Sequence, residues 1–172
     1  MINIIEIFEG IVENWNDENF CENCWTFEYV QFESELNKSI PNTDGECCAV
    51  VFLTDYQIRP TRTFASGLSG IYISDFSIDH SFTLKIYEQD QLGVNMYKEQ
   101  KEHCVNESRW NKILQPKLDC LIKEDFLSLC EYLGRNVQVT NEVWTPEIVK
   151  YDYNYTGWSV QITIREYNVS QI

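Results

Sequence analysis

Residues 151–168 read YDYNYTGWSVQITIREYN, and their pattern decides the fold. From Trp158 onward, apolar and polar residues alternate. Trp158, Val160, Ile162 and Ile164 fall on one side; Ser159, Gln161, Thr163 and Arg165 fall on the other. Successive side chains of a β-strand point to opposite faces, so this pattern predicts a strand with one face on an apolar core. Such a strand needs neighbouring strands and a covering layer. Its polar side must then meet water, a ligand or another protein.

Two helical patterns can supply the cover. Near the start, Ile4, Ile5, Phe8, Ile11, Val12 and Trp15 recur at helical spacing, with Glu6, Glu9 and Glu13 on the opposite side. Gly10 weakens this helix by about 1 kcal/mol relative to alanine, so the helix is expected to depend on docking its apolar stripe. The longer pattern is ESRWNKILQPKLDCLIKEDFLSLCEYLG, residues 107–134. In it Trp110, Ile113, Leu114, Leu118, Leu121, Ile122, Phe126, Leu129, Cys130 and Leu133 recur at three and four, and Gly134 sits at the C-terminal cap position. Pro116 removes one backbone bond, which predicts a bent helix packed across the sheet.

The remaining strands are read from composition. CWTFEYVQFESEL (24–36) alternates aromatic and polar residues. After the turn-forming SIPNTDGE, the continuously apolar centre of CCAVVFLTDYQI (47–58) predicts a strand covered on both faces. FTLKIYEQD follows, with Phe82, Leu84 and Ile86 on one side. NVQVTNEVW, TPEIVKYDY and the strand after the DYNYTG turn close the chain. The order is helix, several strands, long helix, three strands. It predicts one α+β domain over 1–172, a mainly antiparallel sheet with both helices on one face.

RPTRTFASGLSG (59–70) interrupts the strands with Pro60, Gly67 and Gly70. An extended interface loop is expected at 57–75, ordering on contact with a partner, with Arg59, Arg62 and Phe64 as its contact residues. Tyr151, Tyr153 and Tyr155, at a strand end, are expected anchors of a subunit contact, with Arg165 on the adjoining polar face.

Composition narrows the function classes. The 172-residue chain is 44% hydrophobic and 14% aromatic, enough for a core. Its net charge of -14, from 13 basic and 27 acidic residues, opposes phosphate-backbone binding. No apolar run approaches the roughly 20 residues that span a bilayer. The N-terminal MINIIEIFEG carries acids where a signal peptide carries bases, so synthesis in the cytosol is expected. Reduced thiols are then expected for the seven cysteines. Cys120 and Cys130 fall in the helical apolar pattern. Cys21 and Cys24 with Cys47 and Cys48 are weak zinc candidates, because adjacent cysteines chelate one ion awkwardly.

No catalytic constellation is apparent. Asp79-His80-Ser81 has the residue types of a triad, but three consecutive side chains cannot relay a proton in line. His103 beside Cys104 is no better placed, and a surface or capping role is expected for both histidines. Phosphate-loop, dinucleotide, zinc-protease and calcium-loop motifs are all missing. Neither a catalytic residue nor a cofactor is expected.

ILQPKLDCL within the long helix and the closing YDYNYTGWSVQITIREYN resemble neck and tail proteins of tailed phages, in particular those of Bacteroidetes-type hosts and crAss-like phages. The likeness rests on Asn154, Tyr155, Thr156, Gly157 and Trp158 leading into the alternating strand, and on element order elsewhere. It implies a tail-terminator-like fold and a non-enzymatic virion subunit of the tail-terminator or head-tail completion type. Such a subunit would form a sixfold or twelvefold cyclic ring with itself and touch other neck, tail or portal-proximal proteins. DNA would pass through the channel without specific binding, and no membrane would be involved. The alternative is a small acidic interaction protein, mimicking DNA or inhibiting a basic host protein.

Overall fold

The structure is a computed structural model that describes residues 1–15, 25–33, 49–67, 70–89, 114–150 and 154–167, with residues 63–67 and 71–75 among those described by backbone alone. Helix α1 (Ile4–Trp15) precedes strands β1 (Trp25–Val30), β2 (Ala49–Gly67) and β3 (Gly70–Gln89). Helix α2 follows as one run through Gln115–Cys120, Leu121–Phe126 and Leu127–Tyr132, then β4 (Val137–Lys150) and β5 (Asn154–Tyr167). The strands form one sheet in the order β1-β2-β3-β5-β4. Only β1 against β2 is parallel. The chain is therefore α+β with a mainly antiparallel sheet, as the alternation predicts.

Strand parity assigns the core. Val51 and Leu53 of β2, Phe82, Leu84 and Ile86 of β3, and Val160, Ile162 and Ile164 of β5 are buried in one cluster with the α1 and α2 stripes. Phe8 of α1 stacks on Phe126 of α2 with ring centroids 4.7 Å apart, and meets Phe82 of β3 edge-on at 5.6 Å. One side chain thus locks both helices to the sheet. Trp158 packs against this core and meets Trp144 of β4 edge-on at 6.4 Å. The opposite face carries a smaller cluster, Val30, Val50, Phe52 and Tyr87.

The middle of α2 is π-helical over Leu121–Phe126. The buried residues Leu118, Ile122, Phe126 and Cys130 are spaced by four. On a regular helix that spacing drifts by about 40° per step. The wider turn in the centre offsets the drift and keeps the stripe on the core. At the C-terminus, Gly134 takes a left-handed φ of 71°. Gly134 N–H donates to Glu131 O at 3.0 Å and Arg135 N–H to Cys130 O at 2.8 Å, the paired bonds of a Schellman cap. Pro116 is the second residue of the described helical run, and residues 107–113 lie outside the described part.

Three expectations are corrected. The interface loop at 57–75 is instead two paired strands, with β2 and β3 in antiparallel register down to Gly67 against Gly70. The breaker residues suit this: the two glycines close the hairpin, and Pro60 lies where β1 no longer flanks β2. Beyond Thr61 and Ser77 no third strand pairs with the hairpin among the described residues, so 62–67 and 70–76 form a projecting two-stranded arm. Second, the two segments after Gly134 are one strand, β4, continuous through Pro146. An edge strand tolerates proline because one side of its backbone has no ladder to complete. Third, Asn154–Gly157 belong to β5 rather than to a turn, paired with Lys150 to Glu147.

Tyr87 lies over Gly157, and an added Cβ there would overlap Ile86 O and come within 2.6 Å of the Tyr87 ring. Gly157→Ala is therefore expected to destabilise by about 3 kcal/mol, and Phe8→Ala by about 3–5 kcal/mol. Tyr132→Ala, at a side chain 86% exposed, should stay within about 0.5 kcal/mol of wild type. Urea unfolding checks all three; a Phe8→Ala cost no larger than that of Tyr132→Ala would contradict the packing described.

Candidate functional site

Of the expected contact residues, Arg59 and Arg165 flank Asp79 from its two neighbouring strands, whereas Phe64 and Tyr155 lie towards opposite ends of β3. Arg59 and Arg62 lie on β2 and are exposed. The Arg62 guanidinium sits over the Phe76 ring at 5.5 Å, at the base of the arm. Phe64 is in the arm, its backbone opposite Ile73, and Tyr155 is in β5 opposite Gln89 and Val149. Arg165 is committed within the chain: Nε donates to Asp79 Oδ1 at 2.7 Å and Nη2 to Oδ2 at 3.0 Å. This two-pronged bond holds the Asp79 carboxyl below its ordinary range. Tyr151, Tyr153, Cys21, Cys24, Cys47, Cys48 and His103 lie outside the described residues. Among the described residues, no group of three His, Cys, Asp or Glu side chains is placed to hold a metal ion.

A buried polar chain was missed at the sequence level. His80 is not a surface residue: it is fully buried on the helix-facing side of β3. Its Nδ1 lies 2.6 Å from the Tyr56 hydroxyl and its Nε2 3.3 Å from Glu166 Oε2. Glu166 is 1% exposed and also accepts the Ile2 backbone N–H at 3.1 Å. Arg135 Nη1 stands 3.8 Å from the other carboxylate oxygen.

One proton arrangement satisfies both His80 nitrogens, while Glu166 Oε1 has no hydrogen-bond partner among the described residues. A carboxylate only accepts, so His80 donates Nε2–H to Glu166, and its Nδ1 accepts the Tyr56 O–H. Burial pushes the His80 pKa below 6.5; the Glu166 carboxylate pulls it upward and is outweighed. His80 is thus neutral near pH 7, as the arrangement requires. Burial and the nearby Glu166 charge push Tyr56 up to about 12. The chain links β2, β3, β5 and Ile2 in the segment before α1. Tyr56 reaches it because Asp55, at φ 55°, forms a bulge that sets two β2 residues against Phe82 and restores the core parity.

Strand parity is the signal that could have found these residues. Glu166 continues the series Val160, Ile162, Ile164, and His80 continues Ile86, Leu84, Phe82. A polar residue at an apolar-parity position is buried, and so requires partners.

Away from the Val30, Val50, Phe52 and Tyr87 cluster, the other face of the sheet is polar. Ser81 and Thr163 share a hydrogen bond of 3.1 Å, and buried Lys85 donates to Glu33 at 2.7 Å. A recess of about 230 Å³ is lined by Asp55, Gln57, Thr83, Asn141 and Gln161 among others. It offers amides and hydroxyls around a single carboxylate.

No protein-family model matches the chain, and no curated protein matches it significantly. No described helix is long and apolar enough to cross a membrane.

Since His80 has a depressed folded-state pKa, its contribution to stability is complete above 6.5 and declines as pH falls below it. The Tm should therefore drop between about pH 7 and 5, and drop less steeply in His80→Gln. Tyr56→Phe should cost about 1–3 kcal/mol by leaving Nδ1 without its donor. Thermal unfolding across pH checks both; a flat wild-type profile would contradict a buried neutral imidazole.

Proposed function

We propose that this chain is a non-enzymatic structural subunit of a tailed-phage neck or tail. It repeats around the DNA channel as a closed ring with neighbouring virion proteins. The observation that carries this reading is the arm, 62–67 with 70–76, which extends past the described parts of β1 and β5. A two-stranded ribbon is marginally stable alone in water, so an arm this long gains from lying on another surface. A repeated contact between one patch and a different patch closes a ring when the rotation permits. The resemblance of the closing strand to neck and tail proteins supports the same role, and the charge of -14 suits a wall that DNA slides past.

Native mass spectrometry and negative-stain imaging test it. The purified chain is expected to form a closed cyclic oligomer. A variant with 62–76 replaced by Asn-Gly keeps the Thr61–Ser77 pair to re-close the hairpin. It should be monomeric with unchanged circular dichroism. A wild-type chain that stays monomeric at tens of micromolar contradicts the reading.

A further inference from the structure

A second surface lies between the outer sides of α1 and α2. Two hollows of about 580 and 540 Å³ share Ile11, Asn14 and Leu129 and so form one trough. It runs from Trp15 and Lys117 at one end to Leu133 and Arg135 at the other. Its length matches α1, about 18 Å or three helical turns. Apolar side chains of Ile7, Ile11 and Leu129 line it, and Leu133 at its end is 52% exposed.

Gly10 also lines the trough. Among the described residues an added Cβ would have nothing within 4 Å, and the backbone is in an ordinary helical conformation, so no described neighbour requires glycine there. Glycine nevertheless costs this helix about 1 kcal/mol relative to alanine. What it provides is a gap where another backbone can approach closely.

The rim is acidic. Among the described residues, Glu6, Glu13, Glu124 and Asp125 line the trough, against two basic side chains and the amino-terminal residue Met1. Both basic side chains are engaged: Lys117 Nζ lies over the Trp15 ring at 4.2 Å, and Arg135 faces Glu166. The walls are helices, whose backbone groups are paired internally, so an extended strand would find no ladder to join. An apolar floor, an acidic rim and a three-turn length fit an amphipathic helix with basic flanks.

We propose that this trough docks a basic amphipathic helix of a partner protein, laid across Gly10. The site does not depend on the ring reading, since it lies on the helices and not on the arm.

The test uses the full chain and a fluorescein-labelled peptide of about 12 residues, three turns long, with leucines at helical spacing and lysines elsewhere. Controls are a scrambled peptide and one with glutamates for the lysines. Anisotropy should show binding of the basic amphipathic peptide only, weakening as salt rises. Gly10→Gln fills the gap with a better helix former. It should leave the fold at least as stable while weakening binding roughly tenfold or more. Glu13→Lys with Glu124→Lys should transfer preference to the glutamate peptide. Equal binding of the scrambled peptide, no binding of any peptide, or unchanged affinity in Gly10→Gln would overturn the proposal. So would loss of self-association in Gly10→Gln with peptide binding intact, which would make a second copy the occupant.

Discussion

The fold depends on the ring of Phe8, held between Phe126 of α2 and Phe82 of β3. Neither helix has an apolar stripe that water tolerates, and the sheet has one strongly apolar face, so the three must close on one another. Phe8 is where they meet. Once this contact seals one face, the polar residues of β5 are committed to the other. The Asp79–Arg165 and Ser81–Thr163 pairs then form across β3 and β5 on that side. The polar face raised by the closing sequence is thus partly self-satisfied before any partner arrives.

At one end of the same core, the apolar series gives way to Tyr56, His80 and Glu166. Burying a carboxylate is costly unless its lone pairs are met. Here a neutral imidazole and a backbone N–H meet one oxygen, while the other has no hydrogen bond among the described residues and is offset only by the Arg135 charge 3.8 Å away. The result joins three strands to the segment before α1 through hydrogen bonds whose directions are fixed. An apolar cluster alone would allow these elements to slip; directional bonds hold their register.

Much of this was legible in the sequence where a local signal and the tertiary environment agree. Helix α1, the strand from Trp158 and the cap at Gly134 all follow from period or capping chemistry. The arm was not legible, because Pro60, Gly67 and Gly70 break strands inside a sheet but are tolerated at an edge and a hairpin end. Pro146 divided β4 on paper for the same reason. The π turn in α2 was hidden because a four-residue spacing also fits an ordinary helix over short stretches. His80 was hidden because its sequence neighbours Asp79 and Ser81 suggest an exposed turn, and Glu166 because it follows the exposed-parity Arg165; the parity of each along its strand carried the information. The assembly contacts expected at Arg59, Arg62 and Arg165 are only partly available, since Arg165 is held by Asp79 and Arg62 lies over Phe76.

The sheet is expected to hold its structure alone, and the arm only against a partner surface. Amide hydrogen exchange measures this directly, since protection reports the local cost of opening. In the isolated chain, amides of 82–87 and 160–164 are expected to exchange slowly, and those of 62–67 and 70–76 orders of magnitude faster. In the proposed ring the arm amides should become slow, with the sheet centre unchanged. Arm amides as protected as the sheet centre in an isolated monomer would contradict the account.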